Sequence, residues 1–407
     1  MKILHTADWH LGKRLEKFSR LDEQRLVLNE IAEIAEAEDV DAVLIAGDLF
    51  DNFNPSSEAV ELLYKTLKSL SNNGKRAVIA IAGNHDSPDR IEAPDPLARE
   101  CGIIFAGYPD SVVTACELES GLCVLKSEAG FLELKLPRFE YPLRLILTPY
   151  ANEFRLKTFL GLENSEDELR DVLANKWKAL ADAHCDDKGV NLLVAHLFVM
   201  KRGEEPPEEP EDEKPILHVG GAQAIYSENI PKQIQYVALG HLHRFRVVDQ
   251  QPCPIVYSSS PLCYSFGEAG QEKHVAIITA KPGEKVSFTK ASLKEGKPLW
   301  RKKFYDVDEA LLWLANNQNA LVELTLVSEN YLNADDRKRL NQAHDGIVTI
   351  IPEVKSQDML HQSKQTIDLN QDINELFQHF FQHKYGQLPN TELIDLFKEI
   401  RAEHTEE

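Results

Sequence analysis

The sequence predicts an α/β fold. Five apolar runs of strand length, KILHTAD, AVLIAGD, AVIAIAGNHD, VNLLVAH and QYVALGHLH, mark out its first part. Segments with helical spacing of apolar residues lie between them, and every run ends in a polar residue able to bind a metal ion. In an open α/β sheet the crevice at the carboxyl ends of the strands is the ligand-binding edge. With 407 residues, 43% of them hydrophobic and 27% charged, the chain is long enough for two or three domains and one large core.

The elements follow in order. After the first two runs, Val60, Leu63, Tyr64, Leu67 and Leu70 stand at helical spacing and predict a helix over 55–73. Asn54-Pro55 would open it and Gly74 close it. Ser165-x-x-Glu168 reads as a capping box and starts a helix over 165–183. Strands near 254–258 and 273–279 complete a first domain at 1–278, and two sheets packed face to face with helices outside would fit it. Residues 285–355 read helix (307–316), strand (320–327), helix (332–343), strand (346–352), a small two-layer α/β cap. Residues 356–407 are polar, then helical. Ile373, Phe377, Phe380 and Phe381 form one apolar stripe, and Leu393, Ile394, Leu396, Phe397 and Ile400 form another.

The strand ends carry the chemistry. Asp8 and His10 are i and i+2, so both can face one ion as the strand leaves its sheet. Asp48 follows Gly47, where a tight turn can expose a carboxylate whose two oxygens can bridge two cations. Asn84 offers an amide oxygen, with the imidazole of His85 and the carboxylate of Asp86 beside it. His196 ends the fourth run, and His241 and His243 repeat the i, i+2 spacing in the fifth. Two ions about 3.5–4 Å apart can together polarise a phosphoryl group and activate a water. Histidine, aspartate and asparagine suit manganese, iron or zinc, and the absence of cysteine from these positions argues against a thiolate site. Each element alone has an ordinary reading: Gly-Asp after a strand is turn chemistry, and two histidines can be surface residues. The order D-x-H, GDxxD, GNHD, H, GHxH, all at strand ends, implies a dinuclear hydrolase.

These motifs resemble the calcineurin-like metallophosphoesterases, and more narrowly the SbcD family of bacterial nuclease subunits. ILHTADWHLG, AVLIAGDLFD, IAGNHDS, VALGHLHR and YSSSPLCYSFGE carry the resemblance, which is specific over about 1–275. Beyond 276 it rests on length and layout. Ser259 departs from it, standing where the family usually has Gly. Related protein phosphatases have an Arg soon after the second Asp, whereas Asn52-Phe53 follow Asp51 here. The resemblance implies a four-layer α/β/β/α sandwich. It implies Asp8, His10, Asp48 and His243 on one divalent ion, and Asp48, Asn84, His196 and His241 on the other, with Asp48 bridging. Mn2+ is the first expectation for both ions, with Fe or Zn as alternatives. His85 would stabilise the phosphoryl transition state or protonate the leaving oxygen, with Asp86 orienting it. The implied activity is metal-dependent DNA cleavage, 3′→5′ on duplex ends and endonucleolytic on single strands or hairpins. The implied partners are DNA and a coiled-coil ATPase of the SbcC type gripped by the C-terminal helices, as a homodimer within a heterotetramer. A small-substrate phosphodiesterase or phosphatase, and a non-catalytic scaffold, are the alternatives.

The charge runs against a free-standing DNA binder. Lys and Arg total 45 and Asp and Glu 66, a net −21, whereas phosphate neutralisation favours basic surfaces. The run 204–213 carries seven of the acidic side chains and reads as a solvated loop. Lys13, Arg14, Arg20 and Arg244 are the candidate DNA contacts, with Lys201 and Arg202 also basic nearby. His5, inside the first strand, reads as a packed structural residue, and the histidines without motif context as structural or exposed. No apolar run reaches the length of a membrane span, no signal-peptide pattern opens the chain, and six cysteines lack CxxC spacing. A cytoplasmic protein, associated with the nucleoid when acting on DNA, is expected.

Overall fold

Strands Ala42–Ala46 and Ala77–Ile81 are buried at every position, because both faces of their sheet are covered. In the computed structural model the described residues are 1–156, 165–204, 225–328, 332–354 and 372–385, with 389, 393, 394 and 397. The expected acidic loop lies outside them except for Glu204, as do Leu396 and Ile400 of the second C-terminal stripe.

Two mixed sheets make the sandwich. The first has the order Ser287–Leu293, Lys273–Thr279, Lys2–Thr6, Ala42–Ala46, Ala77–Ile81, Ile103–Ala106. The last four strands are parallel and the first two antiparallel. The first domain therefore runs on to Leu293, past the expected boundary at 278 and through the expected start of the cap at 285, because Ser287–Leu293 pairs with Lys273–Thr279. The second has the order Arg246–Asp249, Ile255–Tyr257, Tyr236–Gly240, Val190–His196, Leu143–Thr148, Phe131–Lys135, Cys123–Glu128, with a parallel centre.

Side-chain alternation places the layers. Ile3, Leu44, Ile79 and Ile81 point into a core shared with Leu145, Leu192, Val194 and Tyr236 of the other sheet. Leu4, Val43, Ile45, Val78 and Ala80 point the opposite way. They meet Leu28 and Ile31 of helix Leu21–Ala37, and Leu63 and Leu67 of helix Ser57–Leu70. Leu193, Ala195, Val237 and Leu239 pack under Leu173, Trp177 and Ala181 of helix Ser165–His184. The result is the four-layer α/β/β/α sandwich. Helix Ser57–Leu70 is shorter than expected at both ends: the Ser56 hydroxyl rather than Asn54-Pro55 caps its start, accepting from Ala59 N at 3.3 Å, and Ser71 is its C-cap, ahead of Gly74.

A three-stranded sheet, Leu299–Phe304, Leu321–Ser328, Ile347–Val354, carries helices Val307–Ala315 and Ala334–Ala343. Leu314, Leu324, Leu326, Leu340 and Ile347 form its own small core. Asp306 and Asn333 cap the two helices by accepting backbone N–H bonds. The chain divides into two compact units, one of Met1–Val327 with Leu332–Glu353 and the other of Ser328–Tyr331 with Val354–Glu407. In the second, helix Ile373–Tyr385 brings Phe377 flat against Phe397, ring centroids 4.1 Å apart. The two C-terminal stripes therefore meet each other at this pair. Ile373 and Phe380 are about half exposed, at 46% and 55%.

Candidate metal centre

All seven sequence-predicted ligands come together at the carboxyl edge of the two sheets. The backbone there is unusual: Asp8, His10, Asp48 and His241 have φ of 55°, 45°, 50° and 105°. Non-glycine residues avoid this region unless the surroundings impose it, and such strain concentrates at functional sites. The surroundings are visible. Asp8 N bonds Gly47 O at 3.0 Å and His10 N bonds Asp48 O at 2.9 Å, joining the first two strand-end loops. The glycines leave room for the ligands themselves. A Cβ on Gly47 would lie 2.2 Å from His196 Nδ1, on Gly83 2.1 Å from Asp48 Oδ1, and on Gly240 1.8 Å from Ala46 O.

The two carboxylates are each held by one oxygen. Asp8 Oδ1 accepts from His241 N at 2.8 Å, and Asp48 Oδ1 from His85 N at 2.8 Å. Asp48 Oδ2 is left 3.3 Å from His196 Nε2 and 3.6 Å from His10 Nε2, between the two imidazoles. His196 donates through Nδ1 to Ala46 O at 2.8 Å, which turns Nε2 toward Asn84 Oδ1 at 2.9 Å. His241 Nδ1 reaches the same amide oxygen at 3.1 Å. His10 and His243 meet Nε2 to Nε2 at 3.0 Å.

This donor set fits divalent ions. Asp8 Oδ2, His10 Nδ1 and His241 Nε2 are buried without hydrogen-bond partners. Buried polar atoms are nearly always satisfied, so three unpaired donor atoms in one cluster fit a site built for a cation. Asp8 with His10 and His243, and Asp8 with Asp48 and His196, each bring their ligand atoms within 4.8 Å of one another. His10, Asp51 and His85 likewise bring their ligand atoms within 4.8 Å of one another.

The electrostatics agree. Burial pushes the Asp8 carboxyl up to about 6 despite His196 and His243, and burial with the Asp48 charge does the same for Asp86. Burial would lower the His196 imidazole, but Asp48 outweighs it and holds the group up at about 9. Burial, reinforced by His196, brings His241 down to about 3, and burial takes His10 well below its ordinary value. Opposed shifts among touching groups mark a functional cluster.

Two sequence-based roles need correction. Asp86 does not touch the His85 ring. Its carboxylate is consumed by the backbone N–H groups of Leu49 at 3.0 Å, Phe50 at 2.9 Å and Gly83 at 2.9 Å, tying the Asp48 loop to the Asn84 loop. The ring is oriented by Nδ1 donating to Asp51 O at 2.8 Å. Arg20 is not a surface cation. It is fully buried, forks onto Glu23 at 2.8 and 3.0 Å and donates to Cys263 O at 2.8 Å. Arg14 and Arg244 are exposed, and Lys13 pairs with Asp51 Oδ1 at 3.0 Å. His5 is structural as expected, fully buried between Tyr236 Oη and Leu239 O at 3.1 Å each. Ser259 keeps the glycine-favouring backbone, φ 78°.

The sequence reading missed Glu268. Its Oε1 lies 3.3 Å from His243 Nδ1, leaving Nε2 of that ring for the centre, and Lys273 pairs with its other oxygen. The Lys273 and His243 charges hold this carboxyl well below its usual range against its burial. Its signal in the sequence is the closing Gly-Glu of YSSSPLCYSFGE, one of the stretches that carry the resemblance.

This sandwich and strand-end cluster define a phosphoesterase, and the comparison with known proteins agrees: residues 1–245 match the calcineurin-like phosphoesterase family. The chain belongs to that family. Within it the chain groups with the SbcD proteins. It is 36% identical over its full length to the D subunit of the SbcCD nuclease of Bacillus subtilis, covering 99% of that protein. It is 34% identical to the corresponding SbcCD nuclease chain of Rhodobacter capsulatus, over 70% of this chain and 67% of the other. A solved Thermus thermophilus structure, that of TT1561, is 11% identical with a TM-score of 0.36, over 71% of this chain and 98% of its own. Among the described residues no helix is long and apolar enough to cross a membrane.

Proposed function

We propose that this chain is a metal-dependent DNA nuclease of the SbcD type. The observation that carries the reading is the full-length 36% identity to a protein named as a nuclease component. The convergence of all seven candidate metal-ligating side chains on one edge supports it. Asp8, His10, Asp48 and His243 would hold one divalent ion and Asp48, Asn84, His196 and His241 the other, Mn2+ first and Fe or Zn as alternatives. Bound there, the ions supply Lewis-acid charge to a phosphoryl oxygen and lower the pKa of water.

The rest is done by the chain. His85 has committed Nδ1 to Asp51 O, so Nε2 is the nitrogen available to stabilise the phosphoryl group or give a proton to the leaving oxygen. Asp86 holds the loop that carries it by three backbone bonds. Glu268 fixes which nitrogen of His243 faces the centre. Lys13, Arg14 and Arg244 are the basic residues proposed to meet the DNA backbone, and the small sheet of 299–354 is proposed as a cap that positions the duplex.

The finer reading is 3′→5′ exonuclease action on duplex ends and endonuclease action on single strands or hairpins, in DNA repair and recombination in the cytoplasm. A chain at −21 needs a partner that contributes positive surface. The proposed partner is a coiled-coil ATPase of the SbcC type docked on the C-terminal helices, with two copies of each chain. Exposed Ile373 and Phe380 suit such a docking face.

The test is degradation of end-labelled duplex DNA by purified protein with Mn2+, with and without the ATPase. His85→Gln should keep its Mn2+ and lose cleavage by on the order of 10²-fold. Hydrolysis of a small phosphodiester with no attack on DNA under either condition would overturn the nuclease reading in favour of a small-substrate phosphodiesterase.

A further inference from the structure

The loop Gly83-Asn84-His85-Asp86 is gripped from the second sheet as well as from the first. After strand Leu143–Thr148 the chain turns through Tyr150, whose N–H donates to Ala82 O at 2.9 Å. Five residues on, Arg155 is buried, at 4% exposure. One arm of its guanidinium, Nη1, donates to Gly83 O at 2.8 Å, and the other, Nη2, donates to Asp86 O at 2.8 Å. The two carbonyls flank Asn84 and His85. The ring of Tyr150 lies 5.1 Å from the guanidinium carbon. Asn152 Oδ1 accepts from Arg155 N at 2.9 Å and fixes the start of the short turn that presents the side chain.

A buried guanidinium needs several acceptors, and its planar fork suits two carbonyls a fixed distance apart. Lysine carries the charge but has no fork. The loop is thus held from two directions: the Asp86 carboxylate binds backbone N–H groups on the first-sheet side, and Arg155 binds backbone carbonyls on the second-sheet side. Only with both is the position of Asn84 and His85 fixed against both sheets.

We propose that Arg155 is a positioning residue for the hydrolytic centre, setting the His85 ring and the Asn84 amide by clamping the carbonyls on either side of them. It touches neither substrate nor reacting atoms. The inference rests on the phosphoesterase reading of the site and on Asn84 as a metal-binding residue.

The experiment compares full-length wild type, Arg155→Lys and Arg155→Met. Mn2+ binding is measured by titration calorimetry, and turnover with Mn2+ on bis(p-nitrophenyl) phosphate. Displacement of a positioned group by about 1 Å costs on the order of 10²-fold in rate. Arg155→Met should therefore lose roughly 10- to 100-fold in kcat with KM moved less than about threefold. It should weaken one of two Mn2+ sites by about tenfold and leave the other near wild type. Arg155→Lys should recover part of both losses, and serves alone if the methionine variant does not fold. A merely structural residue would lower Tm while kcat and both Mn2+ affinities stayed within twofold of wild type, and that result overturns the proposal. An inactive wild type would instead count against the phosphoesterase reading. The Mn2+ titration still decides the clamp in that case: unchanged affinity at both sites rejects it.

Discussion

Gly83→Ala adds one methyl group beside the proposed bridging carboxylate. The new Cβ would sit 2.1 Å from Asp48 Oδ1 and 2.3 Å from Asp48 N, where ordinary contact begins at 3.4 Å. The gap must open by more than about 1 Å, which is the scale on which a displaced group costs on the order of 10²-fold in rate. Asp48 has little freedom to retreat. Its O accepts from His10 N at 2.9 Å, and the next two N–H groups bond Asp86 at 3.0 and 2.9 Å. The Gly83 side therefore moves and takes Asn84 and His85 with it. We predict a loss of roughly 10²-fold in kcat on a chromogenic phosphodiester with Mn2+. Mn2+ should bind at least tenfold more weakly at one site, and overpacking should cost about 1–3 kcal/mol of stability. Calorimetric titration, turnover and urea unfolding on one preparation read all three. Wild-type kcat and Mn2+ affinity in Gly83→Ala would refute the argument that this glycine exists to let Asp48 approach.

Three further outcomes follow from the same geometry. Burial brings His5 down to about 3, so the unfolded chain takes up a proton below about 6.5 that the folded chain refuses, and stability falls as pH falls between those values. From pH 7.5 to 5.0 this amounts to about 2 kcal/mol. The stability difference between wild type and His5→Gln in urea should narrow by that amount over the interval, and a pH-independent difference would refute it. Ser259→Gly relieves a positive φ worth about 1 kcal/mol but removes the hydroxyl that accepts from His274 N at 3.0 Å. A buried N–H without a partner costs about 1–3 kcal/mol, so the variant should be neutral to about 2 kcal/mol less stable by urea unfolding, and a clear gain would refute the account. Arg20→Ala leaves the buried Glu23 without its charge partner, keeping only the bond from Lys297 N at 2.6 Å, and should cost about 3–5 kcal/mol, whereas a surface DNA contact would cost nothing measurable in thermal unfolding.

The cluster of candidate ligands was legible because its signals are local. A carboxylate, amide or imidazole directly after an apolar run is visible within ten residues, and the continuous apolar character of Ala42–Ala46 and Ala77–Ile81 already says that both faces are covered. The helix at Ser165 was legible for the same reason, since Ser165-x-x-Glu168 marks its start within four residues. In the small sheet of 299–354 both helices and the strands Leu321–Ser328 and Ile347–Val354 were legible, each helix starting next to a capping Asp306 or Asn333, whereas strand Leu299–Phe304 was not read.

Contacts across the chain decided everything else. His10 meets His243 from 233 residues away, and His196 meets Asn84 from 112 away, distances over which no spacing rule operates. The sequence by itself determined which polar side chains the strands deliver to one edge, because hydrophobic patterning and chain direction are properties of short segments. Only the tertiary structure decided what each polar group does there. Asp86 became a clamp on backbone N–H groups, Arg20 a buried partner of Glu23, and Glu268 the support of His243, because a buried charge is assigned by whichever partners the packed layers bring within hydrogen-bonding reach.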